Sequence, residues 1–310
     1  MKTLYVATIR NDTKRMPFRL TVMHQRVLAC LATHYFLDVS QLLRLAGYSD
    51  HSVTKMRAST KDLHDHGYLW KRAQPRETMR GSLKALFCLT PKGVQAVAAA
   101  GLTVATPITP AEFRALKPLH LEHLRQVNDT TIQLHRLCAA YPAAVTIEQF
   151  LHERDLKRLS PQLTLPDGAT TRYSPDGFVT LRLHRPDGDK RRRLTFEIDR
   201  GSMKRTGPFG WQMKLKRLSA WLAGPYREQF SKETATIAII ATEGDQHAAR
   251  LKRWLELTLR TDLGRADLGP SIFIAGAAPA SLSPEALFTA PRWRRCFSDT
   301  AEPLVPGVLA

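Results

Sequence analysis

The 310-residue sequence has only four cysteines, Cys30, Cys88, Cys138 and Cys296, and no CxxC pair. That excludes a zinc-finger array and a disulfide framework, and points to a reduced, cytoplasmic setting. No apolar run approaches the ~20 residues that span a bilayer. The stretch from Thr3 to Ile9 is too short for a signal-peptide core, and no small-residue cleavage site follows it. Internal repeats are absent. Acidic residues are scarce: 28 Asp+Glu against 46 Lys+Arg leave a net charge of +18. Positive charge spread along the chain does not suit an enzyme of small acidic metabolites. It attracts nucleic acid or an anionic membrane, and without a span nucleic acid is the better reading. A hydrophobic content of 43% supplies real cores, which excludes a disordered polyampholyte.

Apolar periodicity divides the chain. Residues 1–19 read as an arm with a basic Lys14-Arg15 pair, and 20–101 as a first domain. In it, Val22, Met23, Val27, Leu28, Leu31 and Tyr35 recur with a helical period over Thr21 to Phe36. A second helix over Val39 to Ala46 stops at Gly47, and Ser49 or Asp50 caps a third over Ser52 to Gly67. A basic stretch from Lys71 to Lys84 leads into an apolar strand over Ala85 to Thr90. A further helix starts at Pro91. Residues 102–118, rich in Thr, Pro and Ala, read as a linker, 119–300 as a second domain and 301–310 as a loose tail. The second domain opens with a long amphipathic helix, Leu119 to Ala140. Strands follow over Val145 to Phe150, Phe178 to Leu183 and Arg193 to Ile198, the last two forming a hairpin around Pro186-Asp187-Gly188-Asp189. Helices over Gln212 to Ala223 and Gln246 to Leu259 then alternate with strands over Thr236 to Ala241 and Ser271 to Ala275. The fold class is α/β (α+β), a mixed sheet flanked by helices behind a helical N-terminal domain.

Three helices followed by a basic β-ribbon is the winged helix-turn-helix layout, in which the last helix enters the major groove. Val53, Met56, Leu63 and Tyr68 form the packing side of the third helix. Ser52, Thr54, Lys55, Arg57, Ala58 and Lys61 then face outward, most of them hydrogen-bond donors. The wing would place Arg72, Arg76, Arg80 and Lys84 beside phosphates. The unit resembles winged helix domains in Gly67-Tyr68-Leu69 and in Leu89-Thr90-Pro91-Lys92-Gly93.

Pro-Asp-Gly occurs at 166–168, 175–177 and 186–188, and most such tripeptides are turns. Asp176 differs because a strand begins directly after it. On the partner strand Glu197 and Asp199, two residues apart, share a face. Three carboxylates converging at one end of a hairpin repel unless protonated or bound to a divalent ion. Mg²⁺ or Mn²⁺ favours such oxygen ligands. Such an ion activates water and stabilises a phosphoryl transition state, and Lys214 or Lys216 on the next helix could add positive charge.

Pro175-Asp176 followed by Glu197-x-Asp199 resembles the PD-(D/E)XK nuclease superfamily. The superfamily's Lys stands two residues after its second acid, where this chain has Asp199; a Lys on the following helix is a known variation, which implies Lys214. Both units together resemble the replication-relaxation family. The matching segments are His123-x-x-x-Val127-Asn128-Asp129, Glu153-Arg154-Asp155-Leu156, Ser174-Pro175-Asp176-Gly177, Phe196-Glu197-Ile198-Asp199-Arg200-Gly201, Lys214-Leu215 and Leu287-Phe288-Thr289 leading to Trp293. Where that family has an aromatic residue four positions after the Lys, this chain has Leu218. The resemblance implies processing of plasmid or mobile-element DNA, with a metal held by Asp176, Glu197 and Asp199 and catalysis completed by Lys214. The expected partner is origin DNA; a homodimer and accessory transfer or replication proteins are compatible with it.

Other features take blander readings. His64-Asp65-His66 has Asp where a His-hydrophobic-His nuclease motif needs an apolar residue, and His120 and His123 read as a solvated helix face. Phe209, Trp211, Trp221 and Trp254 read as core rather than base-stacking platforms, and Arg191-Arg192-Arg193 as either a DNA contact or a solvated hairpin edge. Three functions compete: a metal-dependent nicking enzyme, a non-catalytic winged-helix regulator or initiator with a degenerate nuclease fold, and a basic surface that docks an acidic protein.

Overall fold

The computed structural model describes residues 18–73, 85–230 and 235–308. Reciprocal caps set the first two helices. Thr21 accepts the His24 backbone N–H at 3.3 Å while the His24 ring accepts that of Thr21, which starts α1 (Val22–His34). Asp38 and Gln41 do the same for α2 (Val39–Leu45). A single 3₁₀ turn, Asp50–Ser52, then leads into α3 (Val53–Asp65). The hairpin of β1 (Leu69–Ala73) and β2 (Ala85–Leu89) pairs Leu69 with Leu89, and α4 (Pro91–Ala99) closes the unit. Val27, Leu31, Leu42, Met56, Leu63 and Leu69 form its core. Glycine is required at position 93, because a Cβ there would stand 2.3 Å from the Tyr68 carbonyl oxygen. This is the expected winged helix-turn-helix; the wing tip, with Arg76, Arg80 and Lys84, lies outside the described residues, as does most of the 1–19 arm.

The 102–118 stretch is not an open linker. It contains α5 (Pro110–Ala115), and Ile108, Phe113 and Leu116 pack against Tyr35, Phe36 and Leu86. Phe113 stacks on Trp70 with ring centroids 5.4 Å apart. The apolar spacing Ile108, Phe113, Leu116, diluted among Thr and Pro, carries this packing.

The long helix α6 (Pro118–Ala140) precedes β3 (Val145–His152), α7 (Glu153–Leu159) and the small hairpin β4 (Gln162–Thr164) and β5 (Thr170–Arg172). Then follow β6 (Gly177–Leu183), β7 (Lys190–Asp199), α8 (Trp211–Ala223), α9 (Pro225–Gln229) and β8 (Thr236–Ala241). The chain ends with α10 (Asp245–Leu257), β9 (Ile272–Gly276), α11 (Pro284–Phe288), β10 (Trp293–Arg295) and β11 (Ala301–Glu302). The seven strands of the main sheet run β11-β10-β9-β8-β7-β6-β3. β3, β6 and β7 are antiparallel, and β7, β8 and β9 are parallel. This is the mixed sheet flanked by helices that the sequence pattern predicts.

Both faces are covered. Phe196 and Ile198 pack toward α6 and α11, while α8 and α10 cover the opposite face, on which Glu197 and Asp199 point. Residues 301–308 are not a loose tail: β11 pairs with β10, and Leu304, Val305 and Val308 are buried. Their apolar side chains complete the α6-side core. Trp211 and Trp221 are core as expected and Trp254 is partly so, whereas Phe209 is 83% exposed on the loop before α8. Among the described residues no helix is long and apolar enough to cross a membrane.

Candidate functional site

Asp176 is fixed before any of its charged partners is counted. Its backbone N–H donates to the Phe196 carbonyl at 3.0 Å, and its Oδ2 accepts the Ile198 N–H at 2.8 Å. Both bonds follow from the register that sets Gly177 opposite Phe196, so the residue before β6 is stitched to the end of β7. The other oxygen, Oδ1, lies 3.1 Å from His123 Nε2 on α6. Burial alone would raise the Asp176 pKa. The charges of His123 and Lys214 outweigh it and hold the carboxyl well below its usual range. His123 moves the other way: burial disfavours the imidazolium, but Asp176 wins and raises its pKa. His123 is therefore no solvated helix face, which corrects the sequence reading.

Glu197 sits on β7 between β6 and β8 and is 1% exposed. Its oxygens are taken by the Tyr173 hydroxyl, which donates to Oε1, and by the Lys214 ammonium at Oε2. Burial, and then the negative charge of Asp176, push Glu197 up to about 7 against the pull of Lys214. For Lys214, burial opposes the charge, yet Glu197 and Asp176 more than compensate and keep the ammonium.

Asp199 shares the Glu197 face but does a different job. It accepts the Trp211 indole N–H on Oδ2 and the Gly201 N–H on Oδ1 at 2.7 Å, with His247 Nε2 3.4 Å away. Trp211 and Lys214 stand three apart on the first turns of α8, as Asp199 and Glu197 stand two apart on β7. Pinning Trp211 to Asp199 therefore delivers Lys214 to Glu197. Gly201 permits the turn that follows: its φ is +73°, and a Cβ would stand 2.3 Å from the Glu243 carboxyl.

Among the described residues, one group of three donors has metal-like spacing: ligand atoms of His123, Glu153 and Asp176 all lie within 4.8 Å of one another. Glu153, at the start of α7, is buried and paired with Lys157. Of the four residues expected to act together, the structure joins Asp176, Glu197 and Lys214 and gives Asp199 an anchoring place. It adds His123, Glu153 and Tyr173. The first two stood within quoted family motifs, but nothing in the local pattern marked them as neighbours of Asp176. Two hollows of about 520 and 690 Å³ lie elsewhere, beside α3 and on the Lys216 side of α8. A small one of about 70 Å³, lined by His120, Glu153 and Lys157, adjoins the site.

On the winged helix, Thr54, Lys55, Arg57 and Lys61 are exposed along α3, with Met56 and Leu63 buried behind them. Ser52 is half-buried in the 3₁₀ turn, and Lys61 is paired with Asp65. Arg72 departs from the expected wing role: its guanidinium donates to the carbonyls of Leu116, at 3.0 Å, and Arg114. The packed 102–118 segment supplies those acceptors.

The replication-relaxation profile matches residues 28–220, from α1 through most of α8, and so takes in the winged helix, Asp176, Glu197 and Lys214. The chain belongs to the replication-relaxation family. As a family member it is, at that coarse level, a DNA-related replication protein. No curated relative matches this replication-relaxation protein. A solved structure, PadR of Bacillus subtilis in complex with operator DNA, is similar to 40% of the chain and 76% of PadR at 18% identity. Its TM-score is 0.25.

Proposed function

We propose that this replication-relaxation protein binds origin DNA of a plasmid or mobile element and nicks it with the help of a divalent ion. The convergence of Asp176, Glu197 and Lys214 from a loop, a central strand and a crossover helix carries the reading. The donor chemistry fits a divalent ion, since carboxylate oxygens of Asp176 and Glu153 stand within 4.8 Å of each other and of a His123 ring nitrogen. Asp176 would hold the ion with neighbouring donors, Mg²⁺ or Mn²⁺ being the expected species; when bound it supplies an activated water and positive charge at the phosphorus. Lys214 would stabilise charge gained by the phosphate oxygens, and Glu197 with Tyr173 keeps that ammonium in place. The exposed Thr54, Lys55, Arg57 and Lys61 of α3 would face the major groove, with Arg76, Arg80 and Lys84 on the wing.

One observation favours a second reading. Asp176, Glu153 and Glu197 each already face a basic partner, His123, Lys157 and Lys214 respectively. A regulator or initiator that kept the fold without the chemistry would look the same. Incubating supercoiled and single-stranded DNA with and without Mg²⁺ or Mn²⁺ separates the two. Nicking that Asp176→Ala abolishes supports the enzyme; binding without nicking under either ion supports the regulator.

A further inference from the structure

Two donor sets compete for an ion at Asp176. One is Asp176 with Glu197 and Asp199, the set that the resemblance implies; the other is Asp176 with His123 and Glu153. We infer that the second set is the metal site, and that its imidazole nitrogen makes it a site for a borderline first-row ion such as Mn²⁺ in preference to Mg²⁺. The inference rests on the nicking reading only for its purpose, not for its geometry.

Proximity is the first argument. His123 from α6, Glu153 from α7 and Asp176 before β6 bring one ligand atom each within 4.8 Å of the others. Availability is the second. Glu197 and Asp199 are 1% exposed and bonded to groups that hold the fold: Tyr173 and Lys214 for one, Trp211, Gly201 and His247 for the other. An ion there would have to displace a buried ammonium or an indole. The partners in the other set can yield. Lys157, whose side chain is 56% exposed, can leave Glu153 for water, and His123 presents a ring nitrogen that is itself a metal donor.

Position is the third: Ile198 N–H holds the second Asp176 oxygen, and the neighbouring His152 ring accepts the Arg154 N–H at 3.2 Å, which fixes the start of α7. These bonds are the outer shell that keeps ligands aimed. The ion follows from the donors. Mg²⁺ prefers an all-oxygen octahedron and gives up water reluctantly, whereas imidazole suits first-row transition ions and carboxylate suits Mn²⁺.

Calorimetric titration of the full chain with MnCl₂ and MgCl₂, after chelator treatment, tests this without any nuclease assay. One Mn²⁺ should bind at least tenfold more tightly than Mg²⁺. His123→Ala and Glu153→Gln should each weaken Mn²⁺ at least tenfold, and Glu197→Gln by less than threefold. Melting curves without metal check that each variant folds, with His123→Gln in reserve. In a Co²⁺-loaded sample, loss of the nitrogen donor in His123→Ala should shift the visible absorption. Equal affinity for Mg²⁺, or losses in Glu197→Gln with none in His123→Ala, would overturn the inference. Tight Mn²⁺ binding with no DNA cleavage would sink the nicking reading and leave the metal site standing.

Discussion

Lys214 is the residue on which structure and chemistry meet most closely. Removing one member of a buried ion pair commonly costs about 3–5 kcal/mol because it strands a charge. Glu197 is already pushed up to about 7 by burial, so in Lys214→Met it can take a proton and stay bonded to Tyr173. We expect a smaller stability loss than that range and a nicking rate lower by about 10²–10³-fold, with Mn²⁺ affinity little changed. Lys216→Ala, on the far side of the same helix, should leave the rate near wild type; equal losses in the two variants would remove Lys214 from the mechanism. Trp211→Phe should instead act on stability: Asp199 Oδ2 loses its donor at a cost of about 1–3 kcal/mol, read as a lower Tm. Asp176 and Glu197 were legible in the sequence because Pro-Asp-Gly before a strand and acids at alternate strand positions are local signals, whereas the residues left Lys214 and Lys216 open and the family resemblance singled out Lys214. His123 and Glu153 were not legible. Their neighbourhood exists only after α6 and α7 pack against the sheet end, and a histidine on a polar helix face looks solvated until that happens.

Elements with a strong period or a buried apolar run were read correctly, and several short polar ones were not. The apolar rows of α1, α3 and α6 and the β6–β7 hairpin stand in the sequence because each buries a repeating face. α7, β10 and β11 escaped because two polar helical turns or two to three strand residues show no apolar period. The wing reading needed Arg72 free, and the apolar residues that pack the 102–118 segment are too sparse to reveal its acceptors. For α3, Arg57 is exposed opposite the buried Met56 and Leu63, with no ion pair among the described residues, whereas Lys61 has Asp65. Arg57→Ala should therefore relax sequence preference by about 1–3 kcal/mol if it touches a base edge, and Lys61→Ala should change it less. Competition binding on specific and random duplex decides this; equal losses on both would make Arg57 a phosphate contact. Alanine at Arg76 and Arg80 should flatten the salt dependence by about one unit of slope per lost contact, and an unchanged slope would remove them from the interface.

The whole molecule is joined through α6. Buried Asp129 accepts Gln41 Nε2 at 3.0 Å and the Arg44 guanidinium, Asn128 donates to the Phe36 carbonyl, and Ile132 enters the winged-helix core. DNA held by α3 would thus stand at a set distance from Asp176, and unfolding should be one cooperative transition. The same seam buries His34, His135 and His152. Burial lowers all three, His135 to about 4 and His152 to about 3. An unfolded histidine near 6.5 takes its proton first, so the unfolded state binds more protons as pH falls. Their contribution to stability should be level above about pH 7 and decline from about 6.5 toward 4, by up to about 1.4 kcal/mol per pH unit for each histidine, partly offset over about 4.5 to 7 by buried Glu197, whose raised pKa acts with the opposite sign. His135→Phe should flatten that decline in melting curves, and an identical slope would place its cause elsewhere. The central claim meets its most direct test on supercoiled origin DNA. With Mn²⁺ the wild-type chain should convert it to nicked circles, and Asp176→Ala should bind the same duplex with near-equal affinity yet leave it supercoiled. Binding by wild type with no nicked product under Mn²⁺ or Mg²⁺ would contradict the account.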